Sequence, residues 1–273
     1  MTRMSAIHSR IDQLDLTLFS AIAGQTSDDD RRSLLALQSA YRQWKGRFTI
    51  LEIGSYEGGS LQAYVADPAC EHIISIDPRP AVVLDQRGST WDYSRVSAED
   101  MLKRLAAVPD ADVRKVRAIT AGTDTLRAAD LVTRPDFCFL DGEHTDAAVL
   151  RDARFCLEAS APDCAMVFHD ANIVYNGLRT LLDEIEASGR EFRAYNLASV
   201  VFVIELGACR LSGFAPLSSW RDQNYKGYLD SLLRNDHFRE IARRHERLGQ
   251  HPLLAPLRKM GLVAAAKRLL GAR

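Results

Sequence analysis

The sequence predicts an α/β protein with an open, mostly parallel sheet that is covered by helices on both faces. Short runs of almost continuously apolar residues alternate with helical patterns, which is typical of parallel strands. These runs span residues 48–53, 72–76, 116–121, 137–140 and 165–168. The helical patterns between them span residues 60–66, 98–107 and 144–159 and supply the right-handed crossovers that parallel strands need.

Two further apolar runs add an antiparallel edge to this sheet. Residues 191–196 and 200–204 are separated by only three residues, which is too short for a crossover helix. The two runs are therefore expected to pair as a hairpin. The sequence thus predicts a Rossmann-like mixed sheet of seven strands, parallel apart from one antiparallel edge hairpin.

Helical extensions are expected on both sides of the sheet region. Residues 4–24 carry apolar side chains at three- and four-residue spacing, and a second helix should begin after Ser27 and end near Lys45. After Gly207 the pattern is helical again. The predicted organisation is an N-terminal helical extension over residues 1–46, a central α/β domain over 47–207 and a basic helical extension over 208–273.

The C-terminal extension is locally basic, with ten Lys or Arg against three Asp or Glu in residues 234–273. Its last part, residues 257–270, places an apolar stripe beside a basic face. Such a helix suits peripheral contact with a membrane surface, and it equally suits packing on its own core or on a second copy in a homo-oligomer.

Composition excludes several classes of protein. The chain has 273 residues, 47% of them hydrophobic and 26% charged, which excludes disordered and collagen-like chains. The net charge of −1 provides no overall attraction for nucleic acid, so no nucleic-acid partner is expected. Five cysteines without a C-x-x-C pair indicate reduced thiols, and no secretory or membrane-spanning pattern is found, so the expected location is cytoplasmic.

The first candidate binding motif is the glycine-rich stretch at residues 51–60, between the first strand and the next helix. Gly54 and Gly58 allow the backbone to turn sharply and to approach a ligand closely. Tyr56 stands where the second glycine of a dinucleotide fingerprint would be, which disfavours NAD. Glu52 suits a cationic ligand better than a pyrophosphate, because a carboxylate repels phosphate.

Acidic and histidine residues follow three later strands. Asp77 ends the second run, where an acid can accept both hydroxyls of a ribose. Farther along the chain, ionisable residues end two neighbouring strands, and these are Asp141, Glu143, His144, His169 and Asp170. Because the carboxyl ends of parallel strands meet at one edge, these groups are expected to converge on one crevice.

The motifs together resemble a known family. EIGSYEGGS at 52–60, SIDP at 75–78, LDGEHT at 140–145 and VFHD at 167–170 are similar to the class I S-adenosylmethionine-dependent methyltransferases. Within that class they resemble the family that includes macrolide-sugar and aminocoumarin O-methyltransferases. The resemblance covers about residues 48–206.

The resemblance implies S-adenosyl-L-methionine as the cofactor. The residues it assigns to cofactor binding are Glu52, Gly54, Ser55, Gly58, Ser60, Asp77 and Asp141. Thr123 or Asp124 is expected to contact the adenine, although Ala121-Gly122-Thr123-Asp124 departs from the usual Gly-Asp-Ser.

Metal-dependent relatives hold Mg²⁺ at positions that correspond to Asp141, His169 and Asp170. A histidine replaces one acid here, and imidazole shifts the preference of a site from Mg²⁺ toward Mn²⁺, Fe²⁺ or Zn²⁺. A divalent metal, Mg²⁺ or Mn²⁺, and a site without metal both stay open.

The implied reaction is O-methylation of a hydroxyl on a sugar, a glycan or a glycosylated small molecule. His144 is expected to be the general base, with Glu143 in reserve. Residues 78–97 carry Trp91 and Tyr93 and suit a wall or lid for the acceptor, or else an ordinary surface loop. The alternatives are an NAD-dependent oxidoreductase and a non-catalytic cofactor-binding assembly protein.

Overall fold

The computed structural model describes residues 3–79, 82–93 and 95–250 of the chain. The chain forms two compact units, residues 1–226 and residues 227–273. The first unit thus contains both the sheet and the N-terminal helices. The predicted division into residues 1–46, 47–207 and 208–273 stays a prediction.

Nine strands lie in the described residues. In chain order they are β1 (Phe48–Ile53), β2 (Cys70–Ile76), β3 (Val82–Leu84), β4 (Thr90–Asp92), β5 (Val116–Ile119), β6 (Phe137–Leu140), β7 (Cys164–Phe168), β8 (Phe192–Asn196) and β9 (Phe202–Leu206). Seven of them form one sheet in the order β5-β2-β1-β6-β7-β9-β8. Pairing is parallel from β5 to β7 and antiparallel at β9 and β8, which confirms the predicted fold class.

Eight α-helices are present in the same part of the chain. They are α1 (Arg3–Asp12), α2 (Asp28–Lys45), α3 (Gln62–Ala66), α4 (Ala98–Ala106), α5 (Asp146–Ala159), α6 (Tyr175–Ala187), α7 (Leu217–Trp220) and α8 (Tyr225–Gln250). The crossovers α3, α4 and α5 lie within or near the predicted helical patterns. They place the loops after β1, β2, β5, β6 and β7 at one edge of the sheet.

The expected single helix over residues 4–24 is wrong. Helix α1 ends at Asp12, Leu14 has a φ of 56°, and a short 3-10 helix follows over Leu16–Phe19. Asp15 accepts a hydrogen bond from the Thr17 backbone N–H at 3.0 Å and so begins that second turn. The apolar spacing continues across the break because both pieces pack on the same core.

Helix α2 begins and ends as predicted, and it is part of the core. Ser27 and Asp30 form a capping box at its first turn, and Gly46 ends it. Tyr41 is fully buried and donates a hydrogen bond to the backbone carbonyl of Asp136, just before β6. This helix therefore packs directly on the sheet.

Residues 78–97 contain a small hairpin. Strands β3 and β4 pair antiparallel, and Asp85 accepts hydrogen bonds from the backbone N–H groups of Arg87 and Ser89, both at 2.8 Å. The backbone N–H of Gln86 donates to the carbonyl of His144 at 2.7 Å. The hairpin is therefore anchored to the loop that follows β6.

The five cysteines are free and buried. None of the helices within the described residues has the length and hydropathy that crossing a membrane requires. The predicted membrane-surface or partner helix at 257–270 lies outside the described residues.

The segment between α1 and α2 is fixed against the glycine-rich loop by one buried side chain. Gln62 accepts hydrogen bonds from the backbone N–H groups of Ala21 at 2.9 Å and Ile22 at 2.8 Å. Its amide group also donates to the carbonyls of Ile22 at 2.9 Å and Gly59 at 2.8 Å. The chain therefore passes close over Gly59, where a Cβ would lie 2.8 Å from the Cα of Gly24.

Gly59→Ala is expected to destabilise the protein by about 1–3 kcal/mol, because the new methyl group would collide with backbone atoms that have little freedom to move. Gly213→Ala is the matched control, since no atom lies within 4 Å of its Cβ position. Its effect should stay within about 0.5 kcal/mol. Chemical denaturation of both variants measures the difference, and equal stabilities would contradict the close contact.

Candidate active site

A cleft lies at the carboxyl edge of the parallel strands and encloses about 980 Å³, counting the part that opens to solvent. Its lining includes most of the predicted site residues, namely Gly54, Ser55, Ser60, Asp77, Thr123, Asp141, Glu143 and His144. The other predicted residues lie behind or beside this lining, namely Glu52, Gly58, Asp124, His169 and Asp170. Residues 23–26, which precede α2, complete one wall.

The glycine-rich loop approaches the next strand end very closely. Gly54 has a φ of 88°, and a Cβ there would lie 2.1 Å from the carbonyl oxygen of Asp141. Tyr56, at the place of the missing second glycine, also has a positive φ, 41°. Gly58 serves packing instead, since a Cβ there would press on Leu105 and Met101 of α4 at 3.1 Å.

Glu52 is a fully buried carboxyl group beneath the loop. Ser60 donates a hydrogen bond to its Oε1, whereas Oε2 has no hydrogen-bond partner in the described part of the chain. Burial raises the pKa of Glu52 to about 8, and the Ser60 hydrogen bond opposes that rise. The unpartnered oxygen is suited to a cationic or hydrogen-bond-donating ligand.

Asp77 lies at the tip of β2, as predicted. Its Oδ2 accepts a hydrogen bond from the backbone N–H of Tyr56 at 2.9 Å and lies 3.1 Å from Nε of the buried Arg79. These contacts orient the carboxylate at the cleft wall. Its position fits the predicted ribose contact, which stays a prediction.

The loop after β5 places only one of its two candidate residues at the cleft. Thr123 is buried and lines the cleft, whereas Asp124 is exposed and lies outside the lining. Thr123 donates a hydrogen bond to Asp152 Oδ1, and Arg151 Nε donates to the same oxygen at 3.0 Å.

Sequence reasoning did not identify Arg151 and Asp152. Asp152 carried a detectable signal, because it is a charged residue on the buried, otherwise apolar face of α5. The buried residues of that face are Ala148, Val149, Asp152, Ala153, Phe155, Cys156 and Ala159.

Two carboxylates and one imidazole converge where β6 and β7 end. His144 Nε2 lies 3.5 Å from Asp141 Oδ1 and 3.3 Å from Asp170 Oδ2. One ligand atom from each of the three residues lies within 4.8 Å of the other two, so the donor set fits a divalent cation. Burial lowers the pKa of His144, but Asp141 and Asp170 outweigh it and raise the value above 6.5.

His169, the predicted metal ligand, is not part of this group of three. Its Nδ1 lies 2.9 Å from Asp170 Oδ2 and 3.1 Å from Asp141 Oδ1, and its Nε2 lies 3.3 Å from Asp30 Oδ2. Burial opposes protonation, but these carboxylates raise the pKa of His169 far above its usual value. Both ring nitrogens of His169 already face carboxylates, so the geometry favours His144 in that place.

Asp30 is a third residue that sequence reasoning missed. It is the third residue of α2 and is buried, and His169 and Ser27 hold the pKa of its carboxyl group to about 2 against the effect of burial. Its role as a helix cap was visible in the sequence. Its contact with His169 depends on the packing of α2 against the sheet.

One family model matches part of the chain. Residues 51–171 match the family model described as a methyltransferase domain. The chain carries a methyltransferase domain. The expected class, an S-adenosylmethionine-dependent methyltransferase of class I, is thereby confirmed, while the match does not extend to the sugar-modifying family. No curated protein matches the chain in sequence.

Solved methyltransferase structures are similar to the chain. The O-methyltransferase TomG from Streptomyces achromogenes is 17% identical, over 73% of this chain and 88% of that one, with a TM-score of 0.47. An O-methyltransferase from Bacillus cereus is 14% identical, over 74% and 90%, with a TM-score of 0.45. MycE of the mycinamycin pathway is 16% identical, over 72% and 54%, with a TM-score of 0.47.

The methyltransferase cleft is rich in carboxylates. Its described lining contains five acids, Glu57, Asp77, Asp141, Glu143 and Asp152, against Arg151 and His144 as the basic residues. Glu143 accepts a hydrogen bond from Thr145 Oγ1 at 2.9 Å. His144, in contrast, contacts Asp170. This lining favours a cationic ligand over a pyrophosphate.

Aromatic side chains narrow one side of the methyltransferase cleft. The rings of Tyr56 and Tyr93 meet edge to face with centroids 5.0 Å apart, and the Tyr93 hydroxyl donates to Gln25 Oε1 at 3.3 Å. Burial, followed by the nearby Asp141, raises the pKa of Tyr93 to about 12, so its hydroxyl stays protonated at neutral pH. The segment before α2 and the segment after β4 therefore meet across the cleft.

Glu52→Gln is expected to remove a pH dependence of stability from the methyltransferase. A carboxyl group with a pKa of about 8 in the folded state and 4.5 ordinarily stabilises folding below pH 4.5, and that contribution is lost as pH rises toward 8. The stability difference between wild type and variant should therefore change by about 1.4 kcal/mol per pH unit within that window. Denaturant unfolding at several pH values tests this, and parallel profiles would contradict the raised pKa.

Proposed function

We propose that the protein methylates a hydroxyl group of a sugar, a glycan or a glycosylated small molecule, with S-adenosylmethionine as methyl donor. The observation that carries the proposal is the position of His144. Its Nε2 lies between Asp141 and Asp170 at the wall of the same cleft that Asp77 and the glycine-rich loop line. This supports the proposal, because the candidate base and the candidate nucleoside-binding residues line one cavity.

The residues of the cleft fit the cofactor from end to end. S-adenosylmethionine supplies an activated methyl group on a positively charged sulfur. Glu52 offers an unpartnered buried oxygen, and Gly54 leaves a space that any Cβ would fill. Asp77 would accept the ribose hydroxyls, and the Thr123 loop would contact the base. The surplus of carboxylates would stabilise the positive charge of the sulfonium and ammonium groups.

The same features disfavour an NAD-dependent oxidoreductase. A pyrophosphate would meet five acidic residues, with Arg151 and His144 as the basic residues of the described lining to offset them. Tyr56 also occupies the position of the second glycine of the dinucleotide fingerprint. A non-catalytic protein would bind the cofactor in the same way but would transfer no methyl group. An assay of methyl transfer to glycosylated acceptors distinguishes the two.

We infer that His144 accepts the proton of the acceptor hydroxyl. Asp141 and Asp170 orient its ring and stabilise the imidazolium that forms. Glu143 is held by Thr145 and stays the reserve candidate. The chain thereby orients the acceptor oxygen and removes its proton, which is what an in-line methyl transfer requires of a protein.

Asp141, Asp170 and His144 are also the residues that would hold a divalent cation. Such a cation would lower the pKa of an acceptor hydroxyl. An imidazole in the set favours Mn²⁺ over Mg²⁺. One nitrogen cannot both ligate a cation and accept a proton, so His144 has one of these two roles at a time.

The β3–β4 hairpin is the proposed acceptor wall. Trp91 on β4 is 40% exposed, and Tyr93 lines the cleft two residues later. Aromatic faces beside polar groups suit the apolar faces of sugar rings.

A cytoplasmic location is proposed as well, because five buried free thiols fit a reducing compartment.

Asp77→Ala should weaken binding of S-adenosylhomocysteine by about 100-fold or more, because it removes two hydrogen bonds to a charged acceptor. Asp77→Asn is the companion variant, since it keeps the shape of the side chain beside Arg79 and should show a smaller loss. Isothermal calorimetry with folded protein gives both dissociation constants. Unchanged affinity in both variants would refute the ribose assignment.

His144→Ala should lower kcat by about 10²–10⁴-fold on an accepted glycoside while the affinity for S-adenosylmethionine changes only a few-fold. In wild type, kcat/KM should rise with pH through a pKa above 6.5, because only the neutral imidazole accepts a proton and its pKa is raised. The pH profiles of wild type, His144→Ala and Glu143→Gln measure this.

An acidic limb that survives in His144→Ala but disappears in Glu143→Gln would assign the base to Glu143. Repeating the profiles in EDTA and in Mn²⁺ separates the two roles of His144. Full activity in EDTA, with the acidic limb of the pH profile retained, supports His144 as the general base. Activity that depends on Mn²⁺ and shows no acidic limb supports His144 as a metal ligand.

A further inference from the structure

Asp152 is a buried carboxylate at the end of the cleft that the Thr123 loop forms. It is 3% exposed, yet it belongs to the cleft lining. It lies in the second turn of α5, outside the residues that the family resemblance implies for cofactor binding. The inference below rests on the proposed function, because it concerns the nucleoside part of the same cofactor.

The two oxygens of Asp152 have different surroundings. Oδ1 accepts hydrogen bonds from Thr123 Oγ1 and from Arg151 Nε. Oδ2 has no hydrogen bond to any described residue. It faces Gly142, and a Cβ built on that glycine would lie 3.4 Å away. The missing side chain at Gly142 therefore leaves this oxygen accessible from the cleft.

A fixed carboxylate oxygen in this position is selective for hydrogen-bond donors. Arg151 and Thr123 hold the carboxylate in one orientation, so Oδ2 cannot turn away to satisfy a different ligand. Burial has removed solvent from this carboxylate, so a ligand that donates a hydrogen bond to Oδ2 replaces the lost solvent. A carbonyl oxygen of a ligand placed here would meet a second acceptor and would be rejected.

We propose that Asp152 selects the base of the cofactor, accepting a hydrogen bond from the exocyclic amino group of a 6-aminopurine through Oδ2. The neighbouring positions agree with this assignment. Glu52 lies at the end of β1, Ser60 at the end of the glycine-rich loop, Asp77 directly after β2, and Thr123 in the loop after β5. Since the strands are ordered β5-β2-β1, Thr123 lies beyond the ribose residue from the methionine end, and its hydrogen bond to Asp152 brings the carboxylate to the same end.

The test compares two ligands that differ only at the 6-position of the purine, S-adenosylhomocysteine and S-inosylhomocysteine. Full-length wild-type protein should bind the amino ligand about 10- to 100-fold more tightly than the oxo ligand, because the oxo group leaves a buried acceptor unsatisfied. Asp152→Asn can turn its amide nitrogen toward the base. It should weaken the amino ligand, strengthen the oxo ligand and thereby reduce the preference to about three-fold or less.

Glu158→Gln is the matched control, since it makes the same carboxylate-to-amide change at an exposed position of α5. This variant should prefer S-adenosylhomocysteine over S-inosylhomocysteine by the same factor as wild type. Equal affinity of wild type for the two ligands, or a wild-type preference retained in folded Asp152→Asn, would overturn the assignment while leaving the proposed function in place. Failure of wild type to bind either ligand would overturn the proposed function and this inference together.

Discussion

The charge balance around His169 is the constraint on which the rest of the site depends. Asp141, Asp170 and Asp30 come from β6, β7 and α2, and all three carboxylates lie within 3.3 Å of the imidazole. Three carboxylates this close cannot share a buried site unless a cation lies between them. These carboxylates raise the pKa of His169 and so favour its cationic form, and this one side chain contacts both strand ends and the N-terminal helix.

This arrangement extends the active site beyond the matched methyltransferase domain. The family model covers residues 51–171, whereas Asp30 and the cleft residues 23–26 precede it. Gln62 fastens that preceding segment to the glycine-rich loop, and Asp30 fastens it to His169. The segment that precedes α2 and the first turn of that helix therefore contribute to the shape of the cleft as well as to the core.

The site also contains polar atoms that have no hydrogen-bond partner among the described residues. Glu52 Oε2 is buried without a partner in the described residues, and Asp152 Oδ2 is held toward the cleft. Each such group lowers the stability of the free protein and raises the affinity for a ligand that donates to it.

The sequence by itself determined the sheet, the capped helix Asp28–Lys45 and the loops that carry the chemistry. Those features depend on local periodicity and capping, which a single chain segment records. Only the tertiary structure decided that His144 rather than His169 lines the cleft, that Asp124 lies outside the lining, and that Asp30 and Asp152 contact residues of the site. These outcomes depend on which distant segments pack together and on the charges they bring. No local pattern of residues contains that information.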